Sequence, residues 1–337
     1  MASDHSRLHQ PVTMASNFNV DCSISRPICT SMSNNDNDYN FLNVDDNSNI
    51  FCKDFANSYN PDLLSDLNFR YYTSDTFKQK MTSKTRIGLS LFHMNVRSLN
   101  KNSDKLWEFI NTIDYDFDIL VLSEIWSYSI SLYRNLFPGY SFYYDLPVDS
   151  NVGGVGVYIR NTLSHCLIDA YKITCNDNDQ IENIWLEVIK DSEKYIIGGI
   201  YRHPANNISK FTEKMDNILT QIAKHKIPCL IAGDLNIDLQ KFQIHQDTRA
   251  YLDSLILNNF LPVVIMPTRI TERSATLIDH IYYFPGTKNV NNVVTGGNFW
   301  CDITDHFPNF VLVEKTGKTV LKIDDIPLIR LYSAKNI

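Results

Sequence analysis

Residues 195–236 read YIIGGIYRHPANNISKFTEKMDNILTQIAKHKIPCLIAGDLN, and this stretch contains the pattern that decides the fold. Two short apolar runs, at 195–201 and 229–232, predict buried strands. The segment 209–224 between them predicts a helix capped by Ser209, because its apolar residues recur at helical spacing: Phe211, Met215, Ile218, Leu219 and Ile222. Polar residues end both strands, where the loops of an α/β protein often carry function.

The same two kinds of segment recur from residue 87 to residue 313. Further strands are predicted at 87–94, 119–122, 154–159, 184–188, 277–283 and 310–313. Further helices are predicted at 104–113 and 248–259. Many strands with hairpin-like spacing and few helices predict an α/β protein in which two packed sheets carry helices outside, and they disfavour a doubly wound parallel sheet.

The composition changes along the chain and predicts three regions. Residues 31–50 contain 14 Asn, Asp or Ser residues, which favour turns over helices and strands. We therefore expect residues 1–85 to be mostly disordered, with some local helix near 61–69. Residues 86–315 are predicted to form one folded domain, and residues 316–337 are predicted to be the remnant of a linker.

Charge and cysteine content exclude several classes of protein. The chain has 31 Lys and Arg against 38 Asp and Glu, a net charge of −7, which argues against a wholly basic protein that coats nucleic acid but not against a local basic groove. Its seven cysteines form no CxxC pair, which excludes a zinc ribbon and gives no support for disulfides. No segment resembles a signal peptide or a membrane span, so we expect an intracellular protein without a membrane partner.

The informative signal is a set of polar residues at the ends of the apolar runs. The set comprises the carboxylates Glu124, Asp234, Asp279 and Asp305, the carboxamides Asn95 and Asn236, the phenol of Tyr201 and the imidazole of His306. Each residue taken alone is compatible with a turn, a helix start or a purely structural role. Together they suit a hard cation, Mg²⁺ or Mn²⁺, and the hydrolysis of a phosphate ester. No GxSxG elbow or Walker A loop is present.

Seven separated motifs carry a family resemblance that spans residues 87–314. They are MNVRSLNKN, ILVLSEIW, GGVGVYIR, IGGIYRHP, GDLNID, IDHIYY and TDHFP. In this order they resemble the endonuclease/exonuclease/phosphatase superfamily, and within it the apurinic-like endonuclease domain of non-LTR (LINE-like) retrotransposons. The resemblance implies a four-layer sandwich of two mixed β-sheets flanked by helices, and a Mg²⁺-dependent phosphodiesterase that leaves a 3′-hydroxyl.

The resemblance also implies a role for each site residue. Glu124 resembles the principal metal ligand, with Asn95 nearby and Asp305 as a second carboxylate on the metal side. Asp234 resembles the group that orients or deprotonates water, and Asn236 the amide that positions the phosphate. Tyr201 resembles the phenol that contacts the phosphate or the leaving group, and His306 the imidazole on a phosphate oxygen, oriented by Asp279. Arg202 is expected to contact a backbone phosphate.

One departure and two alternatives follow from the resemblance. Arg97 stands where repair apurinic endonucleases usually have an acidic residue, which favours the nicking of target DNA over abasic-site repair. The alternatives are a phosphoesterase acting on inositol phosphates, lipids or nucleotides, and a catalytically silent nucleic-acid-binding remnant. We expect DNA as the partner, nuclear access and no obligate protein partner. Arg97, Lys101, His203, Arg269 and Arg273 are further candidates for phosphate contacts, but unless they cluster in space the sequence favours a solvated surface charge for each.

Overall fold

The computed structural model describes residues 70–82, 86–127, 129–148, 150–174, 181–287 and 292–315. Within these residues, the first of two mixed β-sheets has seven strands, in the spatial order β1 (Tyr71–Tyr72), β14 (Val293–Phe299), β15 (Asn309–Glu314), β2 (Ile87–Asn95), β3 (Ile119–Ser123), β5 (Val155–Arg160) and β4 (Tyr140–Asp145). The second has six strands in the same part of the chain, in the order β10 (Leu261–Pro262), β13 (Asp279–Phe284), β9 (Cys229–Asp234), β8 (Glu193–Arg202), β7 (Ile181–Lys190) and β6 (Ser164–Leu167). A small hairpin joins β11 (Arg269–Ile270) to β12 (Ala275–Thr276).

The two sheets pack face to face because their strands are apolar on both sides. In β2, Leu89 and Leu91 lie in the core shared with the second sheet, whereas Phe92 and Met94 lie in the core on the outer side. This alternation follows from the two-residue period of a strand. The sheets approach closely at Gly199, where a Cβ atom would lie 2.7 Å from the Cγ2 atom of Val157. A larger residue at this position would force either the side chain of Val157 or the sheets to shift.

Helices cover the outer faces of both sheets. Helices α1 (Ser74–Thr82) and α2 (Leu99–Ile113) contribute to the core outside the first sheet, and α3 (Ile208–His225) and α4 (Gln246–Leu257) extend the core of the second. The predicted cap of α3 is wrong by two residues. The side chain of Asn207 accepts a hydrogen bond from the Lys210 N–H at 2.9 Å, while the hydroxyl of Ser209 bonds Asp247. Of the helices in the described ranges, none combines the length and apolarity needed to cross a bilayer.

The α/β sandwich predicted from the sequence is confirmed, and each predicted strand or helix from residue 87 onward overlaps an observed one. The prediction missed β4, β6 and β14, whose sequences YSFYYD, SHCL and VVTGGNF mix polar residues or glycine with apolar ones. Strands β4 and β6 border their sheets, where fewer side chains are covered, whereas β14 is buried over most of its length but is interrupted by glycines. They therefore lack the continuous apolar run that marked the central strands.

Residues 70–82, at the end of the region expected to be mostly disordered, contain β1 and α1. Phe77 of α1 is completely buried, with its ring centroid 5.0 Å from those of Phe299 and Phe310. Polar neighbours in α1 hid this single anchoring residue from sequence reasoning. The remainder of the N-terminal prediction, including the helix at 61–69, and the linker predicted at 316–337 fall outside the described residues.

Candidate active site

The chain topology brings the predicted polar residues to one edge of the sandwich. Strands β2 and β3 are parallel, so Asn95 at the end of one lies beside Ser123 at the end of the other, just before Glu124. Strand β13 runs antiparallel to β9 and pairs its first residue, Asp279, with the last residue of β9, Asp234. The segment containing His306 leads into β15, which is antiparallel to β2. The residues thus meet although they are far apart in sequence.

Asn95 joins the two sheets at this edge. Its Nδ2 atom donates hydrogen bonds of 2.8 Å both to Oε1 of Glu124 and to Oδ2 of Asp234, and its Oδ1 atom accepts from the backbone N–H of Arg97 at 3.1 Å. The hydroxyl of Ser123 adds a second link by accepting from the N–H of Asp234 at 3.1 Å. The amide of Asn95 therefore positions two carboxylates, and both of its polar atoms have partners.

Glu124 presents one unpaired oxygen to the site. Its backbone adopts a left-handed conformation with φ of 55°, and its side chain is buried. Oε1 is held by Asn95, but Oε2 has no hydrogen-bond partner, and its nearest cation, the Nε atom of Arg97, is 4.0 Å away. A buried carboxylate oxygen without a partner is costly, which makes Oε2 a fitting ligand for a hard cation.

Asp279 and His306 form a buried ion pair. The Nδ1 atom of His306 lies 2.8 Å from Oδ2 of Asp279, which also accepts from the hydroxyl of Thr268 at 2.7 Å. Burial alone would lower the pKa of His306, but the charge and hydrogen bond of Asp279 raise it to about 9. Burial opposes ionisation of Asp279 as well, yet the facing imidazolium lowers its pKa. His306 is therefore a cation at neutral pH.

Asp234 lies beside this pair in a fully buried position. Its Oδ1 atom accepts from the N–H of Asn236 at 3.0 Å. Burial, followed by the charge of Asp279, raises the pKa of Asp234 to about 7. Ligand atoms of Asp234, Asp279 and His306 all lie within 4.8 Å of one another. A carboxyl group with a pKa near neutrality and a neighbouring imidazolium suit general acid–base chemistry.

Two of the predicted residues, Asp305 and Arg202, make contacts that differ from those expected. Asp305 accepts from the Nη1 atom of Arg97 at 2.7 Å and from Nε of Arg269 at 2.8 Å, so both of its oxygens are already in ion pairs rather than free for a metal. After burial, which acts in the opposite direction, the hydrogen bond from Arg269 is the main influence that lowers the pKa of Asp305. Arg97 and Arg269 thus lie beside Asp305, and the phosphate contacts for which they are candidates stay a prediction.

Arg202 differs more clearly from its expected role as a phosphate contact, because its guanidinium is buried and does not face the site. It donates to the carbonyl of Leu235 at 2.6 Å, to that of Asn236 at 2.8 Å and to that of Asn206. The amide of Asn236 in turn donates to the carbonyl of Arg202 at 2.9 Å. Arg202 therefore holds the loop after Asp234 and has no exposed surface for a phosphate.

The remaining predicted residue, Tyr201, lies next to an acid that sequence reasoning missed. Tyr201 pairs across β7 and β8 with Glu182, and both side chains are buried. Burial and the nearby charges of Glu124 and Asp234 raise the pKa of the Tyr201 phenol, which stays protonated. Burial likewise raises the pKa of Glu182 to about 7. The sequence signal for Glu182 was a charged residue inside the apolar strand IENIWLEVIK. No feature of the sequence marked Thr268, whose hydroxyl bonds Asp279.

Comparisons with protein families and solved structures agree with the superfamily that the motifs resemble. A family model described as the endonuclease/exonuclease/phosphatase family matches residues 92–306. No curated protein matches the chain. Among solved structures, the endonuclease domain of TRAS1, a telomere-specific non-LTR retrotransposon, superposes with a TM-score of 0.52 at 11% identity, covering 67% of this chain and 98% of that one.

Two further solved structures have the same fold. The AP endonuclease LMAP from Leishmania major gives a TM-score of 0.55 at 14% identity, over 79% of this chain and 98% of its own. Humanised TDP2 from D. rerio gives a TM-score of 0.51 at 14% identity, over 67% of this chain and 99% of its own. At such identities these likenesses establish the fold and leave the substrate to be argued from the site.

Proposed function

The chain belongs to the endonuclease/exonuclease/phosphatase family, whose members hydrolyse phosphoester bonds, and from this premise we propose that it is a Mg²⁺-dependent endonuclease that nicks DNA. The observation that carries the proposal is the junction at Asn95, which sets the open oxygen of Glu124 beside the acid–base group of Asp234. The motif resemblance to non-LTR retrotransposon endonucleases supports DNA as the substrate. A nuclease of such an element requires access to the nucleus.

The donor set fits a divalent metal. Oε2 of Glu124 is buried and unpaired, and the surrounding ligands are oxygens, which Mg²⁺ prefers and Mn²⁺ accepts. We assign Glu124 as the principal ligand, with Asn95 holding it in place. Asp305 would have to give up an arginine to join it. When bound, the ion would polarise a phosphoryl oxygen and offset its charge.

The other residues divide the proton chemistry between them. Asp234, with its pKa near 7, accepts a proton from the attacking water. His306 is held through Nδ1 by Asp279, which leaves Nε2–H to donate to a phosphoryl oxygen as negative charge develops. The protonated phenol of Tyr201 is available as a second donor to the phosphate or the leaving group. Together these steps yield a 3′-hydroxyl and a 5′-phosphate.

The proposal is tested by the nicking of supercoiled plasmid by the full chain, with Mg²⁺ and with EDTA. We expect relaxed circles in Mg²⁺ alone, and extension of the nick by a DNA polymerase, which requires a 3′-hydroxyl. Asp234→Asn and His306→Asn are expected to reduce the rate at least about 100-fold each. The matched control Asp169→Asn changes an exposed aspartate outside the cluster and should nick normally.

Two results would contradict this function. Absence of metal-dependent nicking by the unmodified chain would leave the alternative substrates, which release of phosphate from inositol phosphates and nucleotides then measures. Equal nicking by the Asp234 and His306 variants would instead refute the roles assigned to these residues.

A further inference from the structure

Three polar side chains interrupt the inner face of the first sheet directly behind the active site. They are His93 of β2, Ser123 of β3 and Asn309 of β15, and all three are completely buried. Leu91 and Val311, which face inward on the same strands, belong to the apolar core between the two sheets. Buried polar groups at such a place are costly unless each one finds hydrogen-bond partners.

The imidazole of His93 connects the other two side chains, because β2 lies between β15 and β3 in the sheet. Its Nδ1 atom is 3.1 Å from Oδ1 of Asn309, and its Nε2 atom is 2.9 Å from Oγ of Ser123. An amide oxygen only accepts, so Nδ1 carries the proton and Nε2 of the neutral ring accepts from the serine hydroxyl. Burial lowers the pKa of His93 to about 4, in agreement with a neutral ring.

Each end of this row of side chains continues to a carboxylate residue of the second sheet. Oγ of Ser123 accepts from the backbone N–H of Asp234 at 3.1 Å, and Nδ2 of Asn309 donates to the backbone carbonyl of Asp279 at 3.1 Å. Asp234 and Asp279 are themselves paired where β9 ends and β13 begins. Every hydrogen bond in the row therefore has one donor and one acceptor, and the row joins the two aspartates from behind.

We propose that His93 is a positioning residue, which fixes the separation of Asp234 and Asp279 by holding the side chains on both sides of it. The inference rests on the nuclease proposed above, in which Asp234 takes a proton from water and Asp279 orients His306. A displacement of about 1 Å between such groups can lower the rate about 100-fold. Because His93 is completely buried and touches no DNA, its loss should lower kcat and leave KM unchanged.

The first test compares two buried serines that differ in their partners. Ser123→Ala breaks the row beside Asp234, whereas the matched control Ser90→Ala removes an equally buried hydroxyl that bonds Asp118 near the start of β2. Plasmid nicking by the full chain in Mg²⁺ gives kcat and KM, and thermal unfolding gives the structural cost of each change. We expect kcat to fall roughly 10- to 100-fold in Ser123→Ala at constant KM, and both constants to be unchanged in Ser90→Ala.

The second test addresses His93 itself. His93→Asn keeps a donor in place of Nδ1 but offers no acceptor to Ser123, whereas His93→Gln keeps an acceptor in place of Nε2 but loses the donor to Asn309. Adding His93→Asn to Ser123→Ala should not lower kcat further, because both changes break the same link. Adding His93→Gln should lower it further, because the link to Asn309 is then lost as well.

A third measurement needs neither cleavage nor a variant. In NMR spectra of the full chain with ¹⁵N-labelled histidine, the ring proton of His93 should reside on Nδ1 and exchange slowly with water. A proton on Nε2, additive losses of kcat for His93→Asn and Ser123→Ala, or equal kcat in Ser123→Ala and Ser90→Ala would each overturn the inference and leave the nuclease standing. Absence of nicking by the unmodified chain would refute the nuclease on which the inference rests.

Discussion

Replacement of Arg202 by lysine distinguishes a structural arginine from a phosphate contact. The substitution keeps the positive charge, but a single ammonium group cannot reach the carbonyls of Leu235, Asn236 and Asn206 together. Two buried carbonyls then lose their partner, and each costs roughly 1–3 kcal/mol. We expect Arg202→Lys to lower the free energy of unfolding by roughly 2–6 kcal/mol, which corresponds to a fall in Tm of roughly 5–20 °C.

Thermal unfolding followed by circular dichroism measures this loss, with Arg249→Lys on the exposed side of α4 as the matched control. The control should stay within about 0.5 kcal/mol of wild type. The affinity of Arg202→Lys for DNA and its dependence on salt, measured well below Tm, should be unchanged, because no phosphate contact is lost. A wild-type Tm combined with weaker, less salt-dependent DNA binding would refute the structural role and restore the contact expected from the sequence.

Three further outcomes follow from the structure. Phe77→Ala should lower the free energy of unfolding by about 3–5 kcal/mol in urea titrations. A chain that starts at residue 86 should unfold at a lower urea concentration than one that starts at residue 70. Equal urea midpoints for the two chains would show that α1 is dispensable. Because the pKa of His306 is raised in the folded state, its stabilisation is complete below the unfolded pKa and is lost as pH rises through about 9. In EDTA, the free energy of unfolding of the wild type should therefore fall between about pH 8 and about pH 9.5 by ~1 kcal/mol more than that of His306→Asn. Equal dependence of the two unfolding free energies on pH would contradict the ion pair. Asp279→Asn should lower the pKa of His306, measured by NMR, toward its ordinary value, since burial is then opposed only by the charges of Asp234 and Asp305. A pKa that stays near 9 would contradict the pairing.

The strands at the centre of each sheet were predictable because they are covered on both faces. β3 and β9 read as unbroken apolar runs that end in a polar residue, and both lie inside their sheets. Strand β4 borders the first sheet and reads YSFYYD, so its pattern resembled a loop. Phe77 was missed for a related reason, since a short polar helix with only Phe77 and Met81 as apolar core residues gives a weak periodic signal.

The kinds of residue at the candidate site were evident before any coordinates, because carboxylates, amides and a histidine at strand ends suit only a narrow range of chemistry. The role of each individual residue was not evident from the sequence. Arg202 and Asp305 carry the same charges whether they face a substrate or a loop, and only the packing of the chain gave Arg202 three carbonyl partners and Asp305 two arginines. Local sequence specifies which groups are available, whereas the links between Asn95, Glu124 and Asp234 join different strands and exist only once both sheets have packed together.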